Sequence, residues 1–223
     1  MLHLNDDNKM FVVSYLTLRI GLGFVGLSLP IVLITGSLLF DNCTQLQPSI
    51  SHYYYTVMGN YFVGALCAVA MFLFFYKGPK KIDGIVANIA AVAALLVAFF
   101  PTDEGEISLC SYIITERVDS VNYIHFTAAA LLFGCFAFFC LFLFTKTADA
   151  VLVTQKKKMR NSIYKTCGII IVGCIVLIAI YNFAGNMETD FAKYKPTLIL
   201  ESIALFAFGA SWITKGQMFL KDS

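Results

Sequence analysis

Six apolar stretches, separated by short polar connections, dominate the chain. They run from Phe11 to Leu39, Val57 to Tyr76, Gly84 to Phe100, Tyr123 to Phe144, Ile163 to Ala184 and Thr197 to Thr214. At 1.5 Å of helix per residue each can cross a hydrocarbon layer of about 30 Å or come close to it. The third and sixth are the shortest. The pattern predicts an all-α integral membrane protein: a bundle of about six transmembrane helices in one domain over residues 1–223. Alanines between Ala87 and Ala98 suit close helix packing in lipid.

Composition closes off the soluble alternative. Hydrophobic residues make up 59% of the chain and charged residues 13%, against about 25% charged in an ordinary soluble domain. Mean hydropathy is +0.77. The net charge of +2 gives no argument for a nucleic-acid partner. The stretch Met1 to Lys9 is polar, and the apolar run after it is longer than a signal-peptide core. It is expected to be the first span, retained in the mature protein.

The placement of charge says more than its sum. Lys77, Lys80 and Lys81, the run Lys156 to Arg160, and Lys215 and Lys221 fall in alternate connections and at the C-terminus. The intervening connections hold only Arg117, Lys193 and Lys195 and are acidic, with Asp103, Glu104 and Glu106 among others. Cytoplasmic loops are enriched in Lys and Arg, so both termini are expected in the cytoplasm of a multi-pass cell-membrane protein. The same rule accounts for Lys156 to Arg160 without invoking lipid recognition. It also makes Trp212 and Lys215 expected interfacial anchors.

Polar groups gather toward the outer ends of the spans: Ser51 and His52 before the second, Asp103 after the third, His125 at the start of the fourth, Asn182 late in the fifth and Glu201 early in the sixth. Glu201 is the one carboxylate clearly inside a span. Such a group costs a few kcal/mol in lipid and turns toward protein or water, as a proton carrier, acid/base, cation ligand or structural ion pair. Arg19, deeper in the first span, needs acceptors because it stays charged. It can pair with Glu201, directly or through water, or snorkel to the inner surface. Gly23 and Gly26 beside it leave room for a close neighbour. His52 and His125 with a carboxylate form a candidate metal site, and Ser51 beside His52 suggests a nucleophile and base; the alternative is that these loop residues are helix caps or solvated groups. Tyr53 to Tyr55 suit an interfacial aromatic belt or the mouth of a pocket.

Cys67, Cys135, Cys140, Cys167 and Cys174 fall in spans, as small packing residues. Cys43 and Cys110 lie in different outer loops and are expected to form a disulfide in an oxidising compartment. Asn42-Cys43-Thr44 matches a glycosylation sequon.

The Ser49-Ile50-Ser51 stretch, followed by Phe62-Val63-Gly64, resembles small six-span bacterial membrane proteins of unknown function. It is also similar to the eukaryotic DRAM-type six-span group, which carries Pro-Ser-Ile-Ser in the first outer loop, here Pro48 to Ser51. That resemblance implies a six-helix bundle with a lipid-related or regulatory role and carries over no catalytic residues. The zinc-dependent ceramidase and receptor superfamily uses a late His-x-x-x-His pair, and this chain has no histidine after His125. The expected function is binding or moving a small or lipidic ligand, or a proton, in an outward-facing polar pocket, with membrane lipids as partners. The alternatives are an intramembrane lipid hydrolase, metal- or acid/base-dependent, and a structural or regulatory subunit. No cofactor is named by the sequence.

Overall fold

The computed structural model describes residues 6–40, 45–103, 119–146, 154–183 and 192–221. Cys43, Cys110 and the Asn42 sequon lie outside them, as do Glu104 and Glu106. Among the described residues every regular element is helical. The six main helices are α1 (Asp6–Phe40), α2 (Gly59–Phe74), α3 (Lys81–Phe99), α4 (Asp119–Phe138), α5 (Gln155–Phe183) and α6 (Pro196–Lys215). A π-helical turn, Phe139–Leu143, extends α4, and a 3-10 helix, Ser51–Tyr55, precedes α2.

Five segments are long and apolar enough to cross a membrane: Tyr15–Phe40, Lys81–Phe99, Asp119–Leu143, Gln155–Asn182 and Ala192–Lys215. The second helix is the short one, with 16 residues, about 24 Å at 1.5 Å per residue. The sequence instead marks the third and sixth spans as shortest. Its apolar run is trimmed because residues before Gly59 are spent on the 3-10 helix and turn that cover the end of α2.

The helices form a ring in chain order, each beside its sequence neighbours, and α6 closes the ring against α1. That closing seam is set by glycines. A β-carbon on Gly209 of α6 would stand 2.6 Å from the Gly23 carbonyl oxygen of α1, and one on Gly26 would stand 2.5 Å from the Phe208 ring. The room left by Gly23 and Gly26 is thus filled by α6. On α3 the alanines Ala87, Ala90, Ala91, Ala94 and Ala98 are fully buried at helical spacing. The span within α5 is the least buried of the five, and the ring presents Ile169, Val176 and Ile180 outward.

Toward the end of the ring that holds the start of α1 and the end of α6, aromatic rings fill the core. Trp212 lies 5.2 Å from Tyr76, 5.5 Å from Phe139 and 5.1 Å from Phe144, centroid to centroid. It is 1% exposed, so it is a core residue and not the interfacial anchor expected from its position in the sequence. The reason is helical phase. Trp212 shares a face with Leu205 and Phe208, which the close α1–α6 approach turns inward. The π turn helps: the Phe144 amide donates to Phe139 O at 2.8 Å, so both of these rings point into the cluster.

Candidate functional site

The other end of the ring is covered by the connection between α1 and α2, and Pro48-Ser49-Ile50-Ser51 is its hub. Each of these four residues makes a directed hydrogen bond. Pro48 O accepts the Leu198 amide at 3.1 Å, which ties the loop to the first turn of α6. The Ile50 amide donates to Glu201 Oε2 at 2.7 Å. Ser49 Oγ lies 2.6 Å from His52 Nδ1, and Ser51 Oγ lies 2.9 Å from His125 Nε2. The Leu198 amide and the Glu201 carboxylate of α6 satisfy backbone groups of this irregular stretch, and His125 of α4 holds its Ser51 hydroxyl.

His125, 2% exposed, is held at both ring nitrogens. Nδ1 lies 2.7 Å from the Phe100 carbonyl, which can only accept, so Nδ1 carries the proton. Nε2 then accepts from the Ser51 hydroxyl. The result is a relay from Ser51 through the imidazole to a backbone carbonyl, with the tautomer fixed by geometry. His52 stands apart from this relay. Ser49 Oγ accepts the His52 amide at 3.4 Å and shares a hydrogen bond with the His52 Nδ1. Burial holds the His52 imidazole down to about 4, with His125 and Lys195 adding to the effect and Asp103 opposing it.

A second set of contacts braces the rim. Asn122 Oδ1 accepts from the Asp103 amide at 3.0 Å and from Thr102 Oγ1 at 3.3 Å. The Tyr55 hydroxyl donates to Thr102 O at 2.5 Å. Tyr53 and Tyr55 are 1% and 3% exposed, so two of the three tyrosines point into the bundle instead of forming an interfacial belt.

Beneath this loop lies a cavity of about 40 Å³. Its walls are apolar, from Leu29, Phe62, Leu66 and Leu132 among others. Phe136 and Phe208, stacked at 3.9 Å, lie among its lining residues. Ser51 and Glu201 are the polar side chains in its lining. At roughly 10–15 Å³ per water-sized group it holds about three such groups.

The sequence candidates therefore divide. Ser51, His52, His125 and Glu201 meet around residues 49–52, and Asp103 sits at the rim. Asn182 does not join them: it is exposed and donates to Ile178 O on its own helix at 2.9 Å. Arg19 does not pair with Glu201. Its guanidinium carbon lies 4.2 Å from the Tyr15 ring centroid and 5.5 Å from that of Tyr76, at the opposite end of the ring. The two are separated by most of the bundle's depth, and the Ile50 amide occupies the carboxylate instead. His52 and His125 do not gather a carboxylate about them as a metal site: among the described residues no group of three His, Cys, Asp or Glu side chains is placed to hold a metal ion. Ser49, Asn122 and the Phe100 carbonyl belong to the site and were missed. Of these only Ser49 carried a signal, its place in the Pro48 to Ser51 stretch.

No protein-family model, curated protein or solved structure matches the chain.

Proposed function

We propose that this chain is a six-span protein with both termini in the cytoplasm, and that it binds the apolar portion of a lipidic ligand beneath the outer loop. The carrying observation is the cavity itself: apolar walls with Ser51 and Glu201 as the polar groups in its lining. Such a chamber suits a chain tip or other small apolar group whose polar neighbour reaches the hydroxyl or carboxylate. The alternation of basic and acidic connections supports the orientation. The likeness of Pro48 to Ser51 to the DRAM-type stretch agrees with a lipid-related role.

The test is photolabelling in phosphatidylcholine vesicles that carry a lipid with a diazirine on its acyl chain. Label is expected on peptides containing Leu29, Phe62 or Leu132, and Ala129→Phe, which fills the cavity, should lower it at least fivefold. Label confined to the outward residues of α5, such as Ile169 and Val176, would sink the proposal. Glu201→Gln keeps an oxygen for the Ile50 amide, whereas Glu201→Leu orphans that amide at about 1–3 kcal/mol. The Leu variant should therefore be the less stable of the two.

A second reading rests on the Ser51–His125 contact of 2.9 Å. In an acyl-transfer role Ser51 Oγ would attack an ester carbonyl, its proton passing to His125 Nε2 and then to the departing alcohol. Water would afterwards cleave the acyl-serine. A fluorophosphonate probe decides: covalent label on Ser51, lost in Ser51→Ala and His125→Gln, supports this reading, and an unlabelled Ser51 in folded protein removes it.

A further inference from the structure

The polar groups in the cavity wall have a direction as well as a position. A serine hydroxyl has one proton to give. Phe100 O takes the proton of His125 Nδ1, so His125 Nε2 takes that of Ser51, 2.9 Å away. What Ser51 Oγ has left are lone pairs. Glu201 Oε2 accepts the Ile50 amide at 2.7 Å, and an ionised carboxylate donates nothing. Toward a group that enters beside them, both side chains of the polar lining act as acceptors.

The helices hold this pair at one end of an apolar chamber. Ala129, Leu132 and Phe136 follow His125 along one face of α4, and Leu205 and Phe208 follow Glu201 along α6; all five line the cavity. A volume of about 40 Å³ takes one polar atom and roughly two carbons attached to it. Acceptors call for a donor. A hydroxyl supplies one, and a primary ammonium supplies three together with a charge that keeps Glu201 ionised. An ester sets lone pairs against lone pairs. A carboxylate adds a like charge and enters only by taking up a proton.

We propose that this site takes an apolar chain headed by a hydrogen-bond donor, a primary amine or an alcohol, and discriminates against the ester and the carboxylate of the same chain. Ser51 and Glu201 set that choice. The proposal narrows the ligand class of the lipidic site put forward above and rests on that reading.

Four eight-carbon probes, each with a diazirine beside its headgroup, are compared on the full chain in phosphatidylcholine vesicles at neutral pH. They are the amine, the alcohol, the carboxylic acid and its methyl ester, at equal membrane concentration. Label on peptides containing Leu29, Phe62 or Leu132 is expected from the amine and the alcohol, roughly tenfold or more above the acid and the ester. Glu201→Gln, which replaces one carboxylate oxygen by an amide donor, should remove most of the amine's advantage. Should that variant fail to fold, the four-probe comparison on the parent protein decides alone. Cavity label equal across the four headgroups, or strongest from the acid or the ester, overturns the proposal and leaves the lipidic site standing. An amine advantage unchanged in folded Glu201→Gln overturns the part given to Glu201. Cavity peptides unlabelled by every probe remove the lipidic site and this proposal with it.

Discussion

Replacing Gly209 by alanine tests the seam that closes the helix ring. The added β-carbon would lie 2.6 Å from Gly23 O and 2.6 Å from Leu27 Cγ. Reaching ordinary contact at 3.4 Å requires these groups to separate by 3.4 − 2.6 = 0.8 Å. The first obstacle is backbone, so no side-chain rotation relieves it, and overpacking of this kind costs about 1–3 kcal/mol. Alanine is the better helix former by roughly 1 kcal/mol, which offsets part of the loss. Gly173 on α5 supplies the control, because its added β-carbon meets nothing within 4 Å. There the propensity gain stands alone. Gly209→Ala should therefore fall below Gly173→Ala by about 1–3 kcal/mol, roughly 2–12 °C in apparent melting temperature for a chain of this size. Trp212, three residues from Gly209 and buried, provides the signal by fluorescence in detergent. Gly209→Ala should also shift its emission to the red as α6 moves away from α1. Equal melting temperatures for the two variants would refute the close α1–α6 approach and the inward phase of α6 that follows from it.

Reporter fusions after Lys81 and after Lys158 should locate to the cytoplasm and a fusion after Asp119 to the outside; any reversal removes the proposed orientation. Acidification should loosen the outer loop through His52. Its folded value of about 4 lies below the ordinary 6.5, so the unfolded chain takes up the proton first, and stability present above pH 6.5 is lost as pH falls toward 4. The gap corresponds to roughly 3 kcal/mol at most. Amides 50–58 should then exchange hydrogen faster at pH 4.5 than at pH 7 after correction for intrinsic rates, and His52→Gln should flatten the difference; equal protection in the parent at both pH values would show that His52 is not buried as described.

Much of this architecture is written in one dimension. A membrane-spanning helix must satisfy its own backbone and face hydrocarbon, so apolar runs of sufficient length mark themselves, and the spans of α1, α3, α4, α5 and α6 were legible from Phe11 to Thr214. The same one-dimensional logic flagged Glu201, His125, Ser51 and His52, because polar groups beside or inside apolar runs stand out. Direction and partnership were decided only in three dimensions. Glu201 meets the Ile50 amide because the loop before α2 folds over α6, a contact between residues 151 apart in sequence that no local pattern encodes. Arg19 joins Tyr76 and not Glu201 because the two charges sit toward opposite ends of the bundle, and depth along a helix cannot be traded for charge complementarity. Trp212 is core because the glycine seam sets the rotation of α6, and a π turn adds Phe144 to its surroundings by shifting the helical phase one residue. Hydropathy fixes which segments enter the membrane; close backbone approach and helix rotation fix what each polar group meets there.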